Sequence, residues 1–137
     1  MGARLRKGFT NPDFLFDDIM ESLTEYSDEI AAGTHKAVDI VSKEVMAGIK
    51  AHLTFNSRTG DYVKSFRMKT SFEDKRNKRN TWYVKEPHYR LTHLLEYGHA
   101  IRNGGFTRSF PHIQFGEEIA QRRLPELIEK VIQGEAI

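Results

Sequence analysis

The sequence predicts an α+β fold in which long N-terminal helices and a C-terminal helix pack on a small antiparallel β-sheet. Two observations support this prediction: apolar residues recur every three or four positions near both ends of the chain, and a β-rich, partly alternating stretch lies between them. The chain has 137 residues, which is the length of one domain, so we expect a single domain over 1–137.

The first helical region is predicted at 13–54, after a flexible N-terminal arm at 1–12. Throughout this region apolar residues are spaced by three or four positions, which places them on one helical face. We expect two helices here, with a break near Ser27 or Gly33, because serine caps helices and glycine disfavours helix interiors. The sequence leaves the choice between these two positions open.

A β-hairpin is predicted at 62–86. Its first strand is expected to begin at Tyr62, where apolar and polar residues start to alternate, and its second strand contains the β-forming run TWYVK at 81–85. The stretch from Glu73 to Asn80 is strongly polar, so we expect it to form the loop between the strands.

Two helices are predicted after the hairpin. A short helix is expected at 89–98, closed by Gly98, because glycine readily adopts the left-handed conformation that ends helices. The C-terminal helix is expected at 112–133. Proline lacks a backbone donor, so Pro125 should kink or restart this helix.

The composition excludes several classes of protein. The chain has no cysteine, which rules out disulfides, thiolate metal sites and cysteine nucleophiles. No apolar run approaches the roughly 20 residues that span a membrane, and the start MGARLRKGFT lacks the apolar core of a signal peptide. We therefore expect no membrane partner and a protein that acts where it is made.

Charge is divided into two blocks. Residues 11–30 carry seven acidic and no basic side chains, whereas residues 64–90 carry nine basic and three acidic ones. We expect the acidic block of one copy to contact the basic block of its neighbour, since complementary fields steer association; two solvated faces that never meet are the alternative. The candidate interface residues are Asp17, Asp18, Glu21 and Glu25 with Lys75, Arg76, Lys78 and Arg79.

A possible metal site lies at His93, Glu96 and His99, with His112 as a further ligand, because imidazole and carboxylate bind zinc and iron. However, the two closer histidines are six residues apart, which turns them away from each other by about 240° at about 100° per residue. Gly98 is also expected to end the helix before His99. We therefore expect structural roles for these residues, His99 packed or at an interface, and no metal, cofactor or catalytic residue.

Nucleic-acid binding is a second possibility. The basic loop that contains Lys75 and Arg79 precedes Trp82 and Tyr83, a combination that can contact phosphates and stack on bases. A charged hairpin loop is more often simply solvated, so sequence-specific binding is not expected.

Three short motifs occur in a distinctive order. They are the turn SRTGDYVKSF with Thr59 and Gly60, the segment LLEYGHA with Glu96, Tyr97, Gly98 and His99, and PHI with Pro111 and His112 at the start of the last helix. In this order, over residues 14–133, they resemble the tail-completion or head–tail joining family of long-tailed bacteriophages. The chain departs from the commoner pattern in two ways: His99 stands where many members have threonine, and no proline precedes Thr59.

This resemblance implies a structural virion protein of the phage neck rather than an enzyme. It implies a ring of six identical copies around the DNA channel, contacts with head-completion, tail-terminator or tail-tube proteins, and DNA that passes through the ring without being read. A metal-dependent enzyme and a small basic nucleic-acid-binding module remain the alternatives.

Overall fold

The computed structural model describes residues 12–53 and 60–137 and has the predicted α+β architecture. The described part begins with the long helix α1 (Pro12–Ala51) and closes with α4 (Ile113–Ile132). Between them lie α2 (Asp61–Lys64), β1 (Phe66–Glu73), β2 (Lys78–Val84), a 3₁₀ turn (His88–Arg90) and α3 (Leu91–Tyr97). Apart from residue 12, which begins α1, the predicted N-terminal arm falls outside the described residues.

The predicted break in the first helical region is wrong, because α1 is one helix of 40 residues. Ser27 does not cap a second helix; its hydroxyl accepts a hydrogen bond from the Arg76 guanidinium. Gly33 lies inside α1 where α4 approaches closely, and a Cβ at this position would come within 2.5 Å of the Val131 side chain. The helix-breaking tendency of glycine, about 1 kcal/mol, is therefore outweighed by close packing between helices.

Helices α1 and α4 form the main contact of the fold. Their shared core contains Ala37, Val41 and Leu127, all buried. Gly116 of α4 provides a second close approach, because a Cβ there would lie 2.7 Å from Ile49 of α1. At the edge of this contact the Arg123 guanidinium bonds to Glu44 and Glu126.

The sheet is a two-stranded antiparallel hairpin that packs on α1 through one face. In its register Phe66 pairs with Val84, and Met68 pairs with Trp82. Phe66 and Val84 join the second core cluster with Ile49 and Tyr62. A bulge at Thr70–Phe72 then shifts the alternation of side chains toward the tip of the hairpin.

The predicted start of the first strand and the predicted length of the hairpin loop both need correction. Tyr62 lies in the short helix α2 rather than in the first strand, because Tyr62 and Phe66 are buried together at a helical spacing of four. The loop is also shorter than Glu73 to Asn80. The Asp74 carboxylate accepts the backbone N–H groups of residues 76 and 77 and closes a tight turn, so strand pairing resumes at Lys78.

The later helices lie close to the predicted ranges. Helix α3 ends before Gly98, as predicted, although Gly98 has a φ of 72° with a ψ of 175° rather than the left-handed helical conformation. Helix α4 runs through Pro125 without restarting. Pro125 and Gln121 are both exposed, so the carbonyl that lacks an amide partner can be hydrated.

Candidate functional site

The most concentrated group of polar side chains in the core joins three helices. Glu96 comes from α3, His112 immediately precedes α4, and Tyr62 comes from α2. Their exposed fractions are 5%, 0% and 1%. Polar groups buried to this extent must be hydrogen-bonded to each other or to the backbone, because an unpartnered buried group costs about 1–3 kcal/mol.

The Glu96 carboxylate caps the N-terminus of α4. Its Oε1 accepts the backbone N–H groups of His112 and Ile113, each at 2.9 Å, and its Oε2 accepts that of Gln114 at 3.2 Å. The first amides of a helix lack partners within the helix, and they form the positive end of its dipole. The carboxylate from α3 therefore accepts hydrogen bonds from the free amides at the start of α4 and also offsets the positive end of the helix dipole there.

The His112 imidazole links this cap to α2. Its Nδ1 lies 2.8 Å from the Phe110 carbonyl oxygen and 3.0 Å from Glu96 Oε1, and its Nε2 lies 2.8 Å from the Tyr62 hydroxyl. A carbonyl oxygen only accepts, so Nδ1 carries the hydrogen. In the neutral ring the Tyr62 hydroxyl then donates to Nε2.

The Tyr62 phenol is suited to this donor role. Burial raises the pKa of Tyr62 above its ordinary value of about 10, so the hydroxyl keeps its proton at neutral pH. Aromatic packing fixes the geometry further: Tyr62 meets the Phe66 ring edge-on at 5.1 Å, and the His112 ring stacks on Phe66 at 6.2 Å.

These contacts determine what the group can do chemically. General acid–base catalysis needs a side chain within hydrogen-bond reach of a substrate. Glu96 instead binds three backbone amides and a histidine, and His112 is bonded through both ring nitrogens. The arrangement is therefore suited to fixing α2, α3 and α4 relative to one another.

Of the four possible metal ligands, the structure brings Glu96 and His112 into contact but not His93 or His99. His93 is exposed on α3, whereas the carboxylate of Glu96 is directed to the start of α4. His99 follows Gly98 and is exposed, and its Nδ1 lies 3.1 Å from the Thr107 hydroxyl. It is thus not packed in the core of one copy, and its place at an interface stays a prediction. Within residues 12–53 and 60–137, no three His, Cys, Asp or Glu side chains are arranged to hold a metal ion.

Gly98 is required by its surroundings as well as by its backbone conformation. A Cβ at Gly98 would lie 2.7 Å from the carbonyl oxygen of Thr107. The Thr107 hydroxyl and amide in turn bond to His99, which closes the glycine-rich loop on itself. Tyr97, immediately before this site, is 77% exposed.

The first motif is only partly described. Thr59 lies outside the described residues, and Gly60 adopts a left-handed φ of 72° before α2. The residue from this segment that reaches the buried group is Tyr62. Pro111 is half-buried and directly precedes His112.

Three of the four basic candidate interface residues are bound to α1 of the same chain. Lys75 lies 3.1 Å from Asp28, Arg76 bonds to Ser27, and Lys78 lies 2.9 Å from Asp39. Arg79 is exposed. One ion pair, between Lys75 and Asp28, thus joins the acidic and basic blocks within one copy.

The acidic candidates differ among themselves. Asp18 is buried, with 6% exposed, whereas Asp17, Glu21 and Glu25 are exposed on α1. The pKa of Asp39 is lowered by its hydrogen bonds to Lys78 and Asn80. Asp39 was not among the residues predicted from the sequence to form ion pairs. Its position on the polar face of α1 is the signal that could have identified it.

Sequence reasoning also missed the role of Tyr62 and the partner of His112. The available signal was the occurrence of a tyrosine, a glutamate and a histidine within the three motifs. No periodicity connects them, because Tyr62 and His112 are 50 residues apart.

Comparison with family models, with curated proteins and with solved structures finds no match to this chain. Among the described helices, none combines the length and apolar character needed to cross a membrane.

Proposed function

We propose that this chain is a structural virion protein of a phage neck, which completes the tail and joins it to the head as a ring of identical subunits. The supporting observation is that residues of the three motifs, which carry the resemblance, have structural roles in this chain. Glu96 and His112 form one buried joint between α3 and α4, with Tyr62 from α2, and Gly98 lets the glycine-rich loop approach the end of α3 closely. Motif residues used in this way hold a scaffold, which is the requirement of an assembly protein.

In this function the mechanism is binding. Six copies would surround the DNA channel, contact the head-completion protein on one side and the tail-terminator or tail-tube protein on the other, and let DNA pass without base recognition. A closed ring needs two different complementary surfaces on each copy. Among the candidate interface residues, Asp17, Glu21, Glu25 and Arg79 are exposed and available for such contacts.

The test uses the phage that encodes this chain and a mutant of that phage from which the gene has been deleted. Particles made by the deletion mutant are examined by electron microscopy. We expect full heads and separate tails that do not join. The matched control supplies the wild-type gene from a plasmid and should restore joined, infectious particles. Joined particles in the deletion strain would exclude the proposed role.

A second candidate function, nucleic-acid binding, is supported by the outer face of the hairpin. Arg67, Lys69 and Arg79 are exposed there, and the Lys69 ammonium lies 5.0 Å from the centre of the exposed Tyr83 ring. Cations beside an exposed aromatic ring are suited to phosphates and bases. Fluorescence anisotropy with a labelled DNA duplex tests this: binding should weaken steeply with salt, and Lys69→Glu/Arg79→Glu should abolish it.

A further inference from the structure

Helix α1 extends beyond the helix that covers it. At about 1.5 Å per residue, its 40 residues span about 60 Å, twice the length of the 20 residues of α4. The helices are antiparallel, since Gly48 meets Ile119 and Gly33 meets Val131. The hydroxyl of Tyr26 reaches the carbonyl oxygen of Ile132, the last residue of α4, so the first turns of α1 lie past its end.

These first turns carry an apolar stripe. Six large apolar side chains on one side of α1 have exposed fractions of 41% to 70%, namely Leu15, Phe16, Ile19, Met20, Leu23 and Tyr26. At about 100° per residue they cover an arc of about 140°, whereas Asp17, Glu21 and Glu25 lie on the opposite side. The stripe therefore presents apolar surface without a carboxylate.

A second uncovered apolar surface runs along α4. Ala120, Leu124, Pro125, Ile128 and Ile132 line a groove that flanks the contact of α4 with α1, and the first, second and fourth of these residues also pack against the shared core. Pro125 is exposed, and Ile132 is 52% exposed. We call this surface the α4 groove.

The stripe and the groove touch within one chain only at their adjoining ends, where Tyr26 contacts Ile132, and the rest of the two surfaces cannot meet there. The stripe belongs to a continuous helix whose later turns are already packed on α4, so its first turns cannot fold back over the same helix. Contact along the rest of the two surfaces therefore requires two copies.

We propose that the apolar stripe of one copy docks into the α4 groove of a second copy. This contact rests on the proposed ring and identifies its repeating interface. Because the stripe and the groove are different surfaces, each copy offers both, and the contact is head-to-tail as a closed ring requires. It also differs from the acidic and basic surfaces suggested by the sequence, of which Lys75 and Lys78 already form ion pairs within one copy.

Area and charge both favour a second copy as the occupant. Six half-exposed side chains of roughly 150–200 Å² each leave on the order of 500 Å², a large part of the roughly 800 Å² that each partner buries in a stable complex. The carboxylates of α1 point away from the stripe, so docking keeps them from Glu129 on the rim of the groove.

Two double variants separate the surfaces. The stripe variant is Phe16→Glu/Leu23→Glu, and the groove variant is Pro125→Glu/Ile132→Glu; all four positions are exposed. The control, Ala47→Glu/Gln133→Glu, adds the same charge at exposed positions outside both surfaces. Circular dichroism and thermal unfolding should show that all three variants fold.

Analytical ultracentrifugation of the purified full-length chains gives the result. Wild type and control should form multimers of the 15.9 kDa chain, while each double variant alone should associate on the order of 100-fold more weakly. In an equimolar mixture, the stripe variant still has an intact groove and the groove variant still has an intact stripe. It should therefore form a one-to-one complex of about twice 15.9 kDa and nothing larger.

Several results would overturn this contact. The mixture of variants would stay monomeric if the surfaces do not meet. If the groove variant alone formed dimers while the stripe variant did not, two stripes would be pairing with each other. If wild type associated only after removal of residues 1–11, those residues would be the occupant of the stripe. Each of these outcomes concerns the interface, whereas the gene deletion tests the role in the particle.

Discussion

The Glu96 carboxylate lies 2.9 Å from the backbone nitrogen of His112 and 3.0 Å from its Nδ1. One side chain of α3 thereby positions both the start of α4 and the histidine that precedes it. Because the carboxylate is 5% exposed, its contacts are little weakened by solvent. The pair should therefore contribute more to stability than any of the surface ion pairs.

Replacement of Glu96 by glutamine should lower the free energy of unfolding by about 1.5–3 kcal/mol. Glutamine has nearly the same shape, but it presents an NH₂ group where a carboxylate oxygen now accepts a hydrogen bond, and it removes the charge at the helix end. Urea denaturation at neutral pH measures the change. Glu118→Gln, at an exposed position of α4, is the control and should change stability by less than about 0.5 kcal/mol.

Much of the fold could be predicted from local patterns, whereas the Glu96–His112 joint could not. Helices and strands leave periodic traces in the sequence, and the spacing of apolar residues identified α1 and α4. A carboxylate that caps a helix beginning 17 residues later leaves no such trace, because its partners are backbone amides. The motif residues could be identified in the sequence, but the contacts between them depend on how three helices pack.

Replacement of Tyr62 by phenylalanine should cost about 1–3 kcal/mol, since it leaves the buried Nε2 of His112 without its partner. The cost should also depend on pH. Burial raises the folded pKa of Tyr62 above about 10, so the contribution is complete below pH 10 and is lost as the pH rises toward the folded pKa. Wild type should therefore approach the variant in stability above pH 10. Urea denaturation at pH 8 and pH 10.5 tests this, and an unchanged difference would contradict it.

Replacement of Asp39 by asparagine should weaken the attachment of the hairpin to α1. Lys78 and Asn80 both bond to the Asp39 carboxylate and lower its pKa below its ordinary value of 3.8. The contribution is thus present above pH 3.8 and is lost as the pH falls through the folded pKa. Since the side chain is half exposed, the difference at pH 7 should be below about 1 kcal/mol.

Unfolding at pH 7 and pH 3 measures the contribution of Asp39. The difference between wild type and Asp39→Asn should shrink at the lower pH. Asp17→Asn, on the exposed part of α1, is the matched control and should show a smaller difference at pH 7.

The contact between Asp39 and Lys78 makes charge reversal at Lys78 a poor test of association between copies, because it would disturb the fold. Arg79→Glu avoids this problem, since Arg79 is exposed.

The break predicted in α1 failed for a reason that depends on α4. Glycine was interpreted through its low helix propensity, but Gly33 is where the Val131 side chain inserts. That information lies almost 100 positions away in the chain. The charge blocks raise a similar difficulty, since Asp28 and Lys75 attract each other within one copy, a contact that their separation in the sequence does not reveal.

Replacement of Gly116 by alanine should destabilise the protein although alanine favours helices. The new Cβ would lie 2.7 Å from Ile49 Cγ1 and 3.0 Å from Val45, both on the opposite helix, and overpacking of this kind costs about 1–3 kcal/mol. The gain in helix propensity, about 1 kcal/mol, offsets only part of it. Gly48→Ala is the matched control: its one close contact is the terminal Cδ1 of Ile119, which can rotate away, so the loss should be smaller. Thermal unfolding ranks the variants, and equal losses at Gly116 and Gly48 would show that backbone approach, rather than the stiffness of the opposing side chain, limits packing between α1 and α4.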